Sequence, residues 1–281
     1  MAADRPRKPR QSRSATVLRK EWLSPGMVRL FFGGDDLRAL PELTFTDHYV
    51  KLLFPPAGAD YRWPFDPERI RSERPAEEWP VTRTYTIRSF DPATAELAID
   101  FVVHGDAGLA GPWAASVEPG ESIGFFGPGG AYAPDPGATR HLLAGDEAAL
   151  PAVAAALDAL PDDAVAEVYV EVADADHEIP LRQTSATTLT WVHRGDRPYG
   201  VPLAAAVRTG WVPGAGDQVF VHGNAELVKD LRRFLFVDHR HDRRLVSISG
   251  YWRTGLNEDG WQGSKRDFNE QMEKEEQAAL N

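Results

Sequence analysis

The pattern of the sequence changes once, at the glycine- and proline-rich cluster GPGGAYAPDPGA (127–138), and no other feature restricts the fold as much. Before the cluster stand six short runs rich in strand-forming residues: ATVLRKEWLS (15–24), MVRLFFGG (27–34), HYVKLLFP (48–55), TRTYTIRSF (82–90), AELAIDFVVH (95–104) and SIGFFGPGG (122–130). The turn sequences SPG, GGDD, FDPA and EPGE separate them, so this half reads as a small antiparallel barrel or sandwich. Its one expected helix is AGPWAAS (110–116). The segment 57–80, rich in Pro, Arg and Glu, reads as an exposed insertion.

After the cluster, strands alternate with helices. RHLLAGDEAALPAVAAALDALP gives strand, turn and alanine-rich helix; AVAEVYVEVAD and TTLTWVHRG are strands; VPLAAAVRTGW is a helix. DQVFVHGNAELVKDLRRFLFVDHR then gives strand, turn and helix, and RRLVSISGYWRTG a last strand. Such alternation calls for a parallel sheet with crossover helices, whose ligands lie at the carboxyl ends of the strands. Those ends carry the loops AGDEAA, VADAD, HGNAE and SGYWR. The expected division is a disordered basic arm over 1–14, a barrel over 15–136, and an α/β domain with a C-terminal helix over 137–281.

Composition narrows the function. A net charge of −11 argues against a nucleic-acid binder, and zero cysteines exclude disulfides, thiolate zinc sites, a cysteine nucleophile and cysteine-ligated iron–sulfur clusters. No apolar run reaches membrane-helix length and no secretory leader follows the start, so a cytoplasmic protein is expected; a monomer is the separate expectation for its assembly. The run RTYTIR (83–88) stands out: neither alternate face is cleanly apolar, and it places a cation, an aromatic face and hydroxyls in one strand. Taken alone, it is a half-exposed strand with ion-paired arginines or a strand end presenting itself to a large anionic ligand.

Several motifs in order decide between these. HYVKLLFP, RTYTIR, DFVVHGDAGLAGPWA (100–114), LLAGDEAALPA (142–152) and ISGYWRTG (248–255) resemble the siderophore-interacting protein family, the flavin-dependent ferric-siderophore reductases of the ferredoxin-reductase-like superfamily, from about Arg19 to Gly255. The resemblance implies an FAD-binding barrel followed by an NAD(P)-binding-type domain. Arg83 would clamp the FAD pyrophosphate, Thr84 and Tyr85 would line the flavin, and Thr86 would sit at flavin N5, the catalytic position. Arg88 is as well explained by a surface ion pair. Asp100, Val102 and His104 share a strand face, and Gly108, Ala110, Gly111 and Trp113 form the loop and helix start that would approach the flavin. Gly111-Pro112 stands where many relatives carry a hydroxyl residue.

On the nicotinamide side the resemblance implies Gly145, Asp146, Glu147, Glu171 and Asn224 for NADH or NADPH, although an N-capped helix explains Asp146 equally well. Glu171 suits a ribose diol and Arg194 a 2′-phosphate, so the donor stays open between NADH, NADPH and reduced ferredoxin. Lys51 and Arg253 are the implied substrate cations for a ferric siderophore. Two rival functions stand beside this one: a general NAD(P)H:flavin or quinone reductase, and a non-catalytic siderophore- or flavin-binding protein. His239 and His241 in DHRHDRR lack a third convergent ligand, so no metal is expected. The segment DFNEQMEKEEQAA reads as a solvated helical cap, with Arg232 and Arg233 decorating a neighbouring helix face.

Overall fold

A computed structural model describes residues 11–105 and 108–280. The first half folds into six strands, β1 (Arg13–Ser24), β2 (Met27–Gly33), β3 (Tyr49–Phe54), β4 (Val81–Asp91), β5 (Glu96–Val102) and β6 (Ser122–Gly129), closed into a barrel in the order β1-β2-β5-β4-β3-β6. Every pairing is antiparallel. Val28, Leu30, Phe32, Leu52, Leu97, Ile99, Phe101 and Phe125 fill its interior. Strand β1 opens at Arg13, which pairs with Phe125, so the expected arm is shorter than 1–14; residues 1–10 lie outside the described residues.

Helix is not confined to AGPWAAS. Beside α3 (Ala110–Ser116) the barrel half carries α1 (Asp35–Arg38) and α2 (Pro67–Glu73). Helix α2 is written locally: Asp66 accepts hydrogen bonds from the N–H groups of Glu68 and Arg69, and Pro67 opens the helix where no N–H is needed. The insertion that bears it is also anchored. Trp63 lies across Gly124 of β6, where a side chain would collide with the indole, and its Nε1 donates to Ser14 at 2.9 Å.

The second half alternates as expected: β7 (His141–Asp146), α4 (Leu150–Ala159), β8 (Ala166–Val172), β9 (Thr187–His193), α5 (Val201–Gly210), β10 (Gln218–Asn224), α6 (Ala225–Arg233), β11 (Val246–Trp252) and α7 (Glu258–Leu280). The sheet is parallel throughout, in the order β11-β10-β7-β8-β9. The order reverses between β7 and β10, the position at which open α/β sheets form a crevice. Met27 and Tyr132 join Leu143, Leu150, Val153 and Phe220 in one buried cluster, so the two halves share an apolar seam.

Helix α7 is not a solvated cap. Trp261 and Met272 are buried, and the Glu276 carboxylate takes Arg232 at 2.6 and 3.0 Å and also Arg243. Arg232 therefore does more than decorate α6, while Arg233 is exposed. Among the described residues no helix is long and apolar enough to cross a membrane, and no group of three or more His, Cys, Asp or Glu side chains is placed to hold a metal. His241 Nε2 donates to the Asp217 backbone carbonyl at 2.9 Å, and His239 packs edge-on against Phe234.

Candidate functional site

A cavity of about 530 Å³ opens at the seam between barrel, sheet and α7. Its barrel wall follows from an irregular pairing. Strand β4 pairs with β3 along Val81–Thr86 but with β5 only from Ile87 onward, with a bulge just beyond. The other backbone edge of Thr84–Thr86 is thus left without a strand partner. Thr84, Tyr85 and Thr86 line the cavity together with Asp47, Tyr49, Lys51, Asp100 and Val102. The Tyr85 ring tilts onto Phe101 with centroids 4.4 Å apart, and burial pushes its hydroxyl up, so the ring serves as both core and cavity floor.

The opposite wall comes from β10, β11 and the head of α4, which contributes Ala148 and Pro151. His222, Ser247, Ser249, Tyr251 and Trp252 line it, and α7 closes the mouth with Glu258, Trp261, Gln262 and Lys265. His222 stacks on Phe220 at 3.9 Å, meets Tyr251 edge-on, and shares a 2.9 Å hydrogen bond with Ser247. Burial pushes its pKa down to about 3, so the ring is neutral.

Lys51 faces this cavity, as the sequence suggested; its partner cation differs from the expected one. Arg253 does not line the cavity: it pairs with Glu226 at 2.8 Å and lies over the Phe268 ring. Its place is taken by Lys265, whose Nζ donates to Ser249 at 3.0 Å. Burial and the neighbouring Lys51 charge hold the Lys265 ammonium below its ordinary pKa. Sequence reasoning missed Lys265 because the expected helix, DFNEQMEKEEQAA, began only at Asp267; the signal was Trp261 four residues before Lys265, one turn away on the same face.

Several flavin-side expectations need correction. Arg83 is not an open phosphate clamp: it meets Asp259 at 3.1 Å and Glu258 at 4.0 Å, at the start of α7. The same Glu258 carboxylate accepts the Thr84 N–H at 3.0 Å and the Thr84 hydroxyl at 2.8 Å. Asp100 lines the cavity, but both its oxygens take Arg29, at 2.6 and 2.8 Å. Arg88 pairs with Asp158 of α4. Trp113 and Ala110 belong to the barrel core, Trp113 edge-on to Phe54 and Phe101. Gly111 lets α3 press on β5, since a Cβ there would stand 2.9 Å from the Val102 carbonyl. His104 and Gly108 are exposed beyond the end of β5.

The nicotinamide-side residues are all buried. Gly145 serves close packing, since a Cβ would stand 2.7 Å from that of Ala149. Asp146 accepts from the N–H groups of Ala148 and Asn224 and from Trp252 Nε1, at 3.0, 2.7 and 2.8 Å, and burial raises its pKa to about 6. Glu171 accepts from Gly200 and Leu203, Asn224 caps α6, and Glu147 faces Arg194.

A closed antiparallel barrel and a parallel five-stranded sheet meet on this cavity, and the fold is ferredoxin-reductase-like. The chain belongs to the siderophore-interacting protein family: residues 16–132 match the siderophore-interacting FAD-binding domain and residues 138–255 the siderophore-interacting protein domain. It is 41% identical over 268 residues to an uncharacterised protein of Mycobacterium tuberculosis, covering 90% of this chain and 94% of that one. It is 32% identical to the ferric vibriobactin reductase ViuB of Vibrio cholerae, covering 87% and 90%, and 30% identical to an NADPH-dependent ferric-chelate reductase of Escherichia coli, covering 85% and 92%. The siderophore-interacting protein SipS from Aeromonas hydrophila superposes with a TM-score of 0.79 at 27% identity, covering 93% of this chain and 99% of that one.

Proposed function

We propose that this chain is a ferric-siderophore reductase that holds FAD in the seam cavity and takes the iron chelate at its cationic end. The observation that carries the reading is the convergence of Lys51 from the barrel and Lys265 from α7 beside the open edge of Thr84–Thr86. The lining offers a flavin the hydroxyl of Thr86 and aromatic faces at Tyr85, Tyr251 and Trp252, with Asp47, Lys51, Asp100, Glu258 and Lys265 as its charged groups. Bound there, FAD supplies the exchange between two-electron donors and one-electron acceptors that iron reduction requires.

The chain's own residues bind and orient. Thr86, mostly buried with Tyr251 against it, presents a hydroxyl and an N–H toward the cavity. Lys51 and Lys265 attract the anionic oxygen donors that siderophores use for Fe(III). Fe(II) is a softer ion held less tightly by such donors, so reduction by one electron releases it. Neither a nucleophile nor a paired-carboxylate acid and base is needed, in keeping with the lining. The reading places the protein in the cytoplasm, where reduced donors are at hand.

The test begins with the visible spectrum and FAD titration of the purified chain. Dithionite-reduced protein is then mixed anaerobically with an anionic ferric tris-catecholate, an Fe(II) trap reporting release, with free FMN as the competing acceptor. Faster turnover of the ferric chelate than of FMN is expected. Preference for FMN would favour the general flavin reductase, and colourless protein that ignores added FAD would end the proposal.

A further inference from the structure

Of the helices that begin at the carboxyl edge of the parallel sheet, α4, α5 and α6 each have a strand-end side chain at their start. Asp146 takes the Ala148 and Ala149 N–H groups at the head of α4, at 3.0 and 3.3 Å. Glu171 takes the Gly200 and Leu203 N–H groups at the head of α5, at 2.9 and 3.2 Å. Asn224 takes the Glu226 N–H at the head of α6, at 2.9 Å. Dinucleotide sites in such sheets use these very groups: free N–H donors at a helix start for the pyrophosphate, and an acidic side chain near a strand end for the ribose hydroxyls.

The remaining charges are also engaged. Arg194 is 8% exposed and lies between Glu147 at 3.5 Å and Glu171 at 4.0 Å, with its guanidinium 3.9 Å over the Tyr199 ring. Its Nη1 makes no hydrogen bond, but it is flanked by two carboxylates, an arrangement that repels a 2′-phosphate. Tyr199 in turn packs edge-on against Trp252, and Trp252 is pinned to Asp146 at 2.8 Å. An internal network thus runs across the carboxyl ends of β7, β8 and β9, from Asp146 through Trp252, Tyr199 and Arg194 to Glu171.

We infer that this chain does not grip the adenosine diphosphate-ribose half of a nicotinamide dinucleotide, so any nicotinamide donor meets the seam cavity without a nucleotide-binding site to hold it. The donor residues expected from the sequence do not fit that role, because their hydrogen-bonding capacity serves the fold. The inference is one of donor specificity: the protein should not distinguish NADPH from NADH, nor either from reduced nicotinamide mononucleotide, which lacks the adenosine half altogether.

Two measurements on the full chain test it. Calorimetric titration with ADP-ribose and with its 2′-phosphate should show no binding up to about 1 mM, the level at which association is worth only about 4 kcal/mol; this arm does not depend on the proposed flavin. In the second, which rests on the proposed FAD site, anaerobic stopped-flow bleaching of FAD-loaded protein by NADH, NADPH and reduced nicotinamide mononucleotide should give rates linear in donor concentration and within about twofold of one another. Saturation below about 1 mM, a tenfold preference for either dinucleotide, or calorimetric binding of ADP-ribose would overturn the inference. Dithionite keeps the two readings apart: protein that takes up no flavin to bleach fails the FAD site, whereas bleaching by dithionite with saturable NADPH kinetics fails only this inference.

Discussion

Arg88 of β4 and Asp158 of α4 meet at 2.7 Å, tying the strand that lines the cavity to the first helix of the second half. The pair is asymmetric: the Arg88 side chain is 16% exposed and that of Asp158 43%. Removing Asp158 therefore strands a buried cation, while removing Arg88 leaves a carboxylate that water can solvate. Asp158→Asn should cost more stability than Arg88→Ala, by about 1 kcal/mol, and the double variant should cost less than the sum. Urea unfolding of the four proteins measures this; equal single-variant costs would show the pair to be an ordinary surface contact.

The clasp of Glu258 and Asp259 on Arg83 and Thr84 leads to a second expectation. If FAD pyrophosphate uses Arg83, the two carboxylates compete with it. The double variant Glu258→Gln, Asp259→Asn keeps the amide acceptors for Thr84 but frees the guanidinium. It should bind FAD about fivefold more tightly in a fluorescence-quenching titration, a gain of about 1 kcal/mol. Weaker binding would mean that the carboxylates help to hold the flavin.

Lys51 and Lys265 should act on substrate encounter. Either one changed to Ala should raise KM for an anionic ferric chelate by roughly tenfold at low salt, and by less as salt shortens the screening length. Because removing one ammonium relieves the repulsion on the other, each single loss is partly compensated and the double variant should exceed the product of the single effects. Steady-state iron release at two ionic strengths reads this out, and unchanged KM in Lys265→Ala would remove α7 from the site.

Acid stability should carry the mark of His222. Its folded pKa of about 3 lies below the ordinary value of 6.5, so between those limits the unfolded chain binds a proton that the folded chain refuses. Its contribution is present above pH 6.5 and is lost as pH falls, by up to about 1.4 kcal/mol per pH unit. Asp146 acts oppositely, its raised pKa making the folded state the better proton binder between 3.8 and about 6. Subtraction isolates the histidine: the urea midpoint of His222→Phe should gain on that of the parent as pH falls from 7 to 4. A constant difference would mean that the ring is not held neutral by the fold.

Glu276 takes two arginines at once, and its loss should be costly. Glu276→Ala leaves Arg232, 12% exposed, without its counter-ion, and should destabilise the fold by about 3 kcal/mol. A thermal scan showing less than a third of that would make the triad a surface feature.

Most of the architecture was legible in the sequence. Strand runs, turn signals and the change of pattern at 127–138 are local properties, and all six barrel strands and the alternating second half fall where they place them. The RTYTIR strand was also visible, because a strand that mixes cation, hydroxyl and aromatic residues on both faces has no simple burial solution, whereas Lys51 was indicated by family resemblance. What the sequence could not show was which polar groups engage one another. Arg83 meets Asp259 across 176 positions, Asp100 meets Arg29 across 71, and Glu171 reaches forward to the amides that open α5. Periodicity reports only which face of an element is buried, whereas ion pairing depends on what tertiary packing brings within a few ångströms. The barrel, the parallel sheet and the strand beside the cavity were therefore determined by the sequence alone. The network from Asp146 to Glu171, the clasp on Arg83 and the approach of Lys265 to Lys51 were decided only when the two halves and α7 came together.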